Sequence, residues 1–207
     1  MNTSKKLLKV TFLGTGTSQG IPMIASKDPV CLSNDFKDKR LRSSVLISWD
    51  NLNFVIDCGP DFRQQILREN VESLNGVFFT HEHSDHTAGI DDLRPFCYQI
   101  GEIPIYLNDR ILQNLKHRFE YVFKTENRYP GAPSVAPFII ENTPFYVRDL
   151  KVVPIEVLHG NLSVIGYRFQ DFAYLTDVKT VEYSEKEKLK NLDVLDLNAL
   201  RIDSHPT

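Results

Sequence analysis

A histidine-rich motif at the end of an apolar run constrains this chain more than any other feature. The run GVFF leads directly into THEHSDHT, residues 80 to 87. The apolar run predicts a strand that is buried on both faces. Side chains alternate across a strand, so His81 and His83 are expected to point to the same side. Asp85 and His86 follow at the place where the chain must bend.

The residue types in this motif are those that bind divalent metal ions. Imidazole and carboxylate groups suit borderline ions such as zinc. The pattern H-x-H-x-D-H offers more ligands than a single ion with an open coordination position needs, so it indicates two ions. The alternative is a solvated polar loop that is rich in histidine. An unpaired cluster beside a buried strand would have a desolvation cost with nothing to offset it, which favours the metal site.

Two further polar residues end apolar strands in the same way as His81. His159 ends VVPIEVLH, and Asp177 ends DFAYLTD. Ligands gathered at one rim of a sheet would form a single site with the motif. Each residue also has an ordinary interpretation, because a histidine in a turn or an aspartate capping a turn or helix is common.

Hydrophobic patterning elsewhere predicts many strands with helices between them. A hairpin joins SSVLISW to LNFVIDCG through Asp50 and Asn51, and Asp61 is the expected N-cap of the helix FRQQILREN. One helix is expected over 108–124 and a proline-rich loop or lid over 125–144. Further strands are predicted at LLKVTFLG, IPIYL, FYVRDLKVVPIEVLH, NLSVIGYRF, DFAYLTD and LDVLDLNAL, with a helix at SEKEKLKNL.

The glycine-rich segment GTGTSQGIP, which follows the first predicted strand, is not a dinucleotide-binding fingerprint. Its glycines at positions 14, 16 and 20 miss the G-x-G-x-x-G spacing, and Pro22 stands where a helix should continue.

Length and charge limit the possible partners. A chain of 207 residues can form one substantial core, so we expect a single domain. A net charge of −3 argues against binding nucleic acid through its phosphates. No apolar run approaches the roughly 18 residues of a membrane span, and three widely spaced cysteines fit reduced thiols. We therefore expect a cytoplasmic protein that has no membrane association.

Several phrases resemble the metallo-β-lactamase superfamily over most of the chain. They are THEHSDHTAGIDDLRPF, GTGTSQGIP, RLRSS, VIDCGPDFR, LHG and YLTD. The pattern H-x-H-x-D-H carries the superfamily resemblance. GTGTSQGIP and RLRSS make the chain most similar to the phosphoribosyl cyclic phosphodiesterase group, which opens a five-membered cyclic phosphate, with ribonuclease Z as a sister group.

The resemblance implies an α/β fold of the αββα sandwich type, with two mixed β-sheets flanked by helices and two zinc or manganese ions at the sheet edge. One ion would be bound by His81, His83 and His159. The other would be bound by Asp85 and His86, and Asp177 would bridge the two. A hydroxide between the ions would attack phosphorus.

A proton for the leaving alkoxide would come from His205, with support from Asp85; the alternative is that His205 is an ordinary tail residue. The family's last histidine ligand lies beyond Thr207, so we expect the domain spanning 1–207 to lack its C-terminal end. Relatives often bind a structural zinc through cysteines, but only Cys31 stands in that region here, and one thiolate cannot form a closed site.

The sequence thus predicts a phosphodiesterase acting on a small cyclic phosphate or diester, with a homodimer as a possible assembly. One alternative is an RNA endonuclease like ribonuclease Z, although Arg128 is the only basic residue in 125–144. Another is a metal-binding protein without catalysis. Two secondary expectations concern Asp57, which would hold a ligand histidine, and Arg94, which would contact either a substrate phosphate or a neighbouring carboxylate.

Overall fold

The computed structural model describes residues 6–199. The chain divides into two compact units, the first ending at Ile139 and the second beginning at Ile140. Within residues 6–199, no helix combines the length and apolar character that crossing a bilayer would require.

A six-stranded mixed sheet forms the centre of the first unit. Its strands pair in sequence order, antiparallel from β1 to β3 and parallel from β3 to β6. They are β1 (Leu8–Gly14), β2 (Ser44–Trp49), β3 (Leu52–Ile56), β4 (Gly76–Phe78), β5 (Ile103–Leu107) and β6 (Val135–Ile139). The predicted strand before the histidine motif is confirmed as β4, whose three residues are all buried.

Six α-helices lie in the described part of this unit, residues 6–139. They are α1 (Pro29–Leu32), α2 (Phe62–Arg68), α3 (Ser84–Thr87), α4 (Arg94–Ile100), α5 (Asp109–Arg118) and α6 (Glu120–Phe123), with 3₁₀ turns at Phe36–Asp38 and Ile90–Leu93. The Asn108 side chain caps α5 by accepting a hydrogen bond from the Ile111 N–H at 3.0 Å. The single helix predicted over 108–124 is wrong, because Phe119 leaves helical geometry at φ −123° and ψ 45° and separates α5 from α6.

Aromatic packing fixes β4 between its neighbours. The ring of Phe78 lies 5.7 Å from that of Phe54 and stacks at 4.6 Å on that of Tyr106. All three side chains are buried, and burying one such ring stabilises a fold by about 1.5–3 kcal/mol. The strand that leads into the histidine motif is therefore held rigidly on both sides.

The second unit contains a five-stranded mixed sheet in the order β11-β10-β9-β8-β7. Among these five described strands, β10 and β11 pair in parallel and the other neighbours pair antiparallel. The strands are β7 (Phe145–Val147), β8 (Leu150–His159), β9 (Leu162–Phe169), β10 (Phe172–Leu175) and β11 (Val194–Leu197). Helix α7 (Tyr183–Lys186) and a 3₁₀ turn at Glu187–Leu189 form the helical segment that the sequence predicts. One cluster of its buried core contains Ile155, Val157, Val164, Ala173 and Leu175.

Two sequence predictions for the β-rich segments need correction. The proline-rich stretch 125–144 is not entirely a loop, since it contains β6. An edge strand tolerates Pro137 because it has one unpaired side where no ladder N–H is needed. The run from 145 to 159 is a hairpin rather than one strand, with the turn at Arg148, where φ is +55°.

Candidate metal centre

The histidine motif starts where β4 ends, at the carboxyl edge of the first sheet. Backbone bonds secure this end on both sides. Asp57 N–H donates to the carbonyl of Phe78 at 2.9 Å, and Phe79 N–H donates to that of Tyr106 at 2.9 Å. The chain then turns into α3, so that the four motif residues lie on one short loop and helix.

His81 and His83 face one another, as strand alternation predicts. Nε2 of His81 lies 3.0 Å from Nδ1 of His83. The other ring nitrogen of His81, Nδ1, is 2.9 Å from Oγ1 of Thr80. A tetrahedral zinc ion separates neighbouring ligand atoms by about 3.3 Å, given its usual Zn–N distance. This spacing therefore suits two nitrogens that share one ion.

Asp85 and His86 form a second pair of donors. Nε2 of His86 lies 3.2 Å from Oδ2 of Asp85. The opposite nitrogen, Nδ1, is 2.6 Å from Oδ2 of Asp57. The histidine is only 2% exposed, so a carboxylate behind it fixes the ring and turns Nε2 toward Asp85.

Asp57 links both pairs of donors, and the histidine that it contacts directly is His86, one of the predicted ligands. Its buried carboxylate accepts hydrogen bonds from the N–H of Thr80 at 2.8 Å and from Oγ1 of Thr80 at 2.7 Å, besides the bond to His86. Thr80 in turn contacts His81. The backbone of Asp57 has φ +62°, a region that costs energy for a residue with a side chain.

Sequence reasoning missed Thr80. The only local signal for its role was a hydroxyl residue directly before the first histidine, at the end of a buried strand. Thr80 is 0% exposed, and a buried hydroxyl group needs hydrogen-bond partners. Those partners are Asp57 and His81.

Two glycines allow the loop after β3 to lie against the motif. A Cβ at Gly59 would overlap the carbonyl oxygen of Asp85, and one at Gly89 would overlap that of Gly59. The N–H of Gly89 donates to the carbonyl of Cys58 at 2.8 Å. Backbone therefore packs directly on backbone beside Asp85, which no larger residue permits.

The thiol of Cys58 lies within this packing but has no sign of reactivity. Burial, followed by the nearby charges of Asp57 and Asp92, holds the pKa of the Cys58 thiol well above its usual value. A protonated thiol is neither a nucleophile nor a metal ligand.

Asp61 occupies the predicted N-cap position of α2, where its backbone carbonyl accepts the N–H of Gln65 at 3.0 Å, but its side chain does not act as a cap. Its side chain makes no bond to the start of α2. Instead, its carboxylate accepts hydrogen bonds from the backbone N–H of Arg42 and from the Arg42 guanidinium, both at 2.8 Å. Gln65 of the same helix donates to the carbonyl of Arg42 at 2.8 Å. The Asp61 carboxylate therefore pairs with Arg42 instead of capping the helix. These contacts attach the RLRSS segment to α2.

Two other sequence candidates have ordinary surroundings. The Arg94 guanidinium pairs with Asp91, which supports the salt-bridge interpretation. Cys31 is a buried free thiol whose sulfur accepts the N–H of Met23 at 3.4 Å. Cys58 and Cys97 are also free.

In the second unit, His159 and Asp177 lie at one edge of the sheet. His159 ends β8, and Asp177 comes two residues after β10. Both strands run antiparallel to β9, so their carboxyl ends share an edge. The segment after Asp177 folds back on β8, where Thr180 and Leu158 form a bridge. Both side chains are partly buried. His205 lies outside the described residues.

Comparisons with known proteins agree with these features. Residues 52–207 match the family model described as "Beta-lactamase superfamily domain". A Porphyromonas gingivalis protein named octanoyltransferase is 41% identical over 203 residues, which is 97% of this chain and 41% of that protein. A ribonuclease Z of Nostoc sp. is 30% identical over 175 residues, covering 78% of this chain and 46% of the relative. The chain therefore spans less than half the length of these two relatives.

Among solved structures, the crystal structure of a new diphosphatase from the PhnP family superimposes with a TM-score of 0.89 and 37% identity. It covers 97% of this chain and 78% of that one. The predicted fold is thus confirmed as a metallo-β-lactamase fold with two mixed sheets and helices. This fold implies divalent metal binding, for which the motif supplies suitable donors. The chain belongs to the metallo-β-lactamase superfamily of hydrolases, with PhnP-family and ribonuclease Z proteins among its relatives.

Proposed function

We propose that this chain is a dinuclear metal-dependent hydrolase of phosphoric diesters, with a small cyclic phosphate as its best-suited substrate. One observation carries the proposal. One short segment carries two pairs of donor atoms. Nε2 of His81 and Nδ1 of His83 are 3.0 Å apart, and Oδ2 of Asp85 and Nε2 of His86 are 3.2 Å apart. Similarity to a PhnP-family diphosphatase over nearly the whole chain supports phosphorus chemistry rather than cleavage of a lactam.

The proposed ligand set contains six residues and two divalent ions, zinc or manganese. His81, His83 and His159 would hold one ion, Asp85 and His86 would hold the other, and Asp177 would be shared by both. Neutral imidazoles and carboxylates are ligands that both metals accept. Once bound, the ions would activate a water molecule and neutralise negative charge on the phosphate.

Residues of this chain prepare the ligands for that role. A carboxylate that accepts from Nδ1 of His86 keeps the proton on that nitrogen, which leaves Nε2 to act as the ligand. Asp57 therefore selects the ligating tautomer. Thr80 is placed to do the same for His81, because its hydroxyl lies at Nδ1.

The leaving alkoxide needs a proton when the diester opens. We assign this proton to His205, with Asp85 in support, since the resemblance places a histidine after the bridging aspartate in that role. Imidazole suits proton transfer at neutral pH because its ordinary pKa is about 6.5.

We further propose a domain extent, a substrate size, a cellular location and an assembly for this enzyme. Residues 1–207 belong to one hydrolase domain, whose substrate is a small phosphodiester rather than a nucleic acid or a membrane component. The net charge of −3 supports this substrate size. The free thiols of Cys31, Cys58 and Cys97 support a cytoplasmic location. We also propose a homodimer, which sedimentation analysis would test.

Two other functions remain in competition. Identity to ribonuclease Z proteins favours an RNA endonuclease as the second candidate. A metal-binding protein without catalysis is the third. The PhnP-family structure is of a diphosphatase, so a diphosphate ester joins the substrates to be tested.

A substrate panel separates these candidates. The purified protein, with its metal content measured, is assayed with bis(p-nitrophenyl) phosphate, a five-membered cyclic ribose phosphate, a diphosphate ester and precursor transfer RNA. We expect about two metal ions per chain and turnover of the cyclic phosphate that Asp85→Asn abolishes. Turnover of RNA alone would favour the second candidate. Metal without any turnover would favour the third, and absence of metal would contradict the proposal.

A further inference from the structure

Helix α5 braces the histidine motif through an arginine at its last position. We infer that Arg118 is a positioning residue, which holds the backbone between His81 and His83 and thereby sets the affinity of that pair for its ion. The inference rests on the proposed metal centre, and it assigns no contact between Arg118 and a substrate.

The guanidinium of Arg118 donates three hydrogen bonds into the motif. Nη1 lies 2.6 Å from the carbonyl oxygen of Glu82 and 3.1 Å from Oγ1 of Thr87, and Nη2 lies 3.0 Å from Oγ of Ser84. These partners span the whole segment from the first histidine pair to the end of α3. One side chain therefore ties together both ends of the loop.

The carbonyl of Glu82 is the contact that matters most for the metal. This residue separates the two facing histidines, so the orientation of its peptide group sets the distance between Nε2 of His81 and Nδ1 of His83. Thr87 extends the contact, because its hydroxyl donates to the carbonyl of His83 at 2.8 Å and lies beside the same guanidinium.

Helix α5, which carries Arg118, is firmly packed against the rest of the first unit. Helix α5 is anchored by Ile111, Leu112 and Leu115, which are 0%, 6% and 0% exposed. Near the first turn of the helix, Arg110 pairs with the carboxylate of Glu82 at 3.0 Å. The side chain and the main chain of Glu82 are thus both held by the same helix.

Only an arginine can make this set of contacts. A planar guanidinium presents several N–H groups in fixed directions, which suits three acceptors on different residues. A lysine at position 118 would keep the charge but would replace the fork with a single ammonium, so we expect it to hold the loop only in part.

The test measures metal affinity, because loss of catalysis alone would not identify a positioning role. Binding of Co²⁺ to the full chain is measured by competition with a chelator, and the visible spectrum of the Co²⁺ form is recorded at saturation. We expect Arg118→Ala to weaken Co²⁺ binding by roughly 10- to 100-fold, in the range found when groups supporting metal ligands are removed, and to shift the spectrum. Arg118→Lys should give an intermediate affinity.

Lys116→Ala is the matched control. Lys116 is an exposed cation on the same helix, so its removal makes the same change in net charge while leaving the motif untouched. We expect wild-type affinity and an unchanged spectrum. Thermal unfolding of each metal-free variant separates lost affinity from lost folding, and Arg118→Lys decides the matter if the alanine variant does not fold.

The outcomes separate the inference from the proposed function. If the wild-type chain binds no Co²⁺, the proposed metal centre is wrong. If the wild-type chain binds Co²⁺, and the folded Arg118 variants bind it within twofold with the same spectrum, only the role of Arg118 is overturned.

Discussion

A hydrogen bond of 2.6 Å joins Oδ2 of Asp57 to Nδ1 of His86, between side chains that are 0% and 2% exposed. The two residues are 29 positions apart: Asp57 directly follows β3, and His86 lies in α3, which comes after β4. The bond connects the loop after β3 to the helix that carries the second pair of metal donors. The shape of the candidate centre therefore depends on a residue that is not itself a proposed ligand.

Replacing Asp57 by Asn should weaken metal binding by about 10- to 100-fold. The amide would present an N–H group to partners that donate hydrogen bonds, which leaves Thr80 or His86 unsatisfied and lowers the free energy of unfolding by about 1–3 kcal/mol. Calorimetric titration with Zn²⁺ and urea unfolding measure the two effects. Asp193→Asn, on an exposed residue of the second unit, is the control and should change neither.

Replacing Gly59 by Ala should displace Asp85, because the new Cβ would overlap its carbonyl oxygen. Steric strain of this kind typically costs about 1–3 kcal/mol of stability. We also expect fewer bound ions per chain by elemental analysis. Gly101→Ala provides the comparison: its φ is +87° but no atom lies within 4 Å of the added Cβ. That variant should lose stability and keep its metal, and equal metal loss in both would contradict the steric explanation.

Replacing His205 by Ala tests the proposed proton donor. Removing a general acid typically lowers turnover by about 10²- to 10⁴-fold. The substitution should reduce kcat for bis(p-nitrophenyl) phosphate less than for the cyclic phosphate, because p-nitrophenolate leaves without a proton more readily than an alkoxide does. Metal content should remain that of the wild-type chain. Equal turnover of the cyclic phosphate by both proteins would show that His205 is an ordinary tail residue.

Glu185 should make the stability of the second unit sensitive to acid. Burial alone would raise the pKa of its carboxyl, but hydrogen bonds from Lys188, from the Glu156 N–H and from Asn142, together with the charge of Lys188, lower that pKa below its ordinary value of 4.5. The carboxylate accepts these bonds at 2.8, 2.8 and 3.0 Å. A lowered pKa means that its contribution is complete above pH 4.5 and is lost as the pH falls through the folded-state pKa.

We therefore expect Glu185→Gln to lower the free energy of unfolding by about 1–3 kcal/mol at pH 7, the usual contribution of hydrogen bonds to a charged group. Below pH 4.5 the difference from the wild-type chain should shrink. Urea unfolding at several pH values between 7 and 3 measures this. A difference that stays constant across the range would contradict the assignment.

Local patterns in the sequence predict much of the fold and the motif. The strand before His81 was predictable because an apolar run of that length fits a central strand, and the facing of His81 and His83 follows from alternation. The role of Asp57 could be predicted because this carboxylate follows an apolar strand, two residues before Gly59. His159 and Asp177 were candidates because each ends an apolar strand, and the family resemblance supplied their proposed roles and that of His205.

Other features depend on contacts between distant residues. Arg118 donates a hydrogen bond to the carbonyl of Glu82, 36 positions away. Local periodicity in the sequence does not indicate a contact between residues so far apart. The sequence predicted the N-cap position of Asp61 correctly, but not the partner of its carboxylate, which is Arg42, 19 residues away. The strand β6 was missed because prolines normally indicate a loop, and only its place at the edge of the sheet makes Pro137 acceptable.

Anomalous scattering from a zinc- or manganese-loaded crystal tests the central claim most directly. We expect two peaks about 3.5–4 Å apart, one beside His81, His83 and His159 and the other beside Asp85 and His86, with Asp177 between them. No peak at this loop, or ions that contact neither His159 nor Asp177, would contradict a shared two-metal centre.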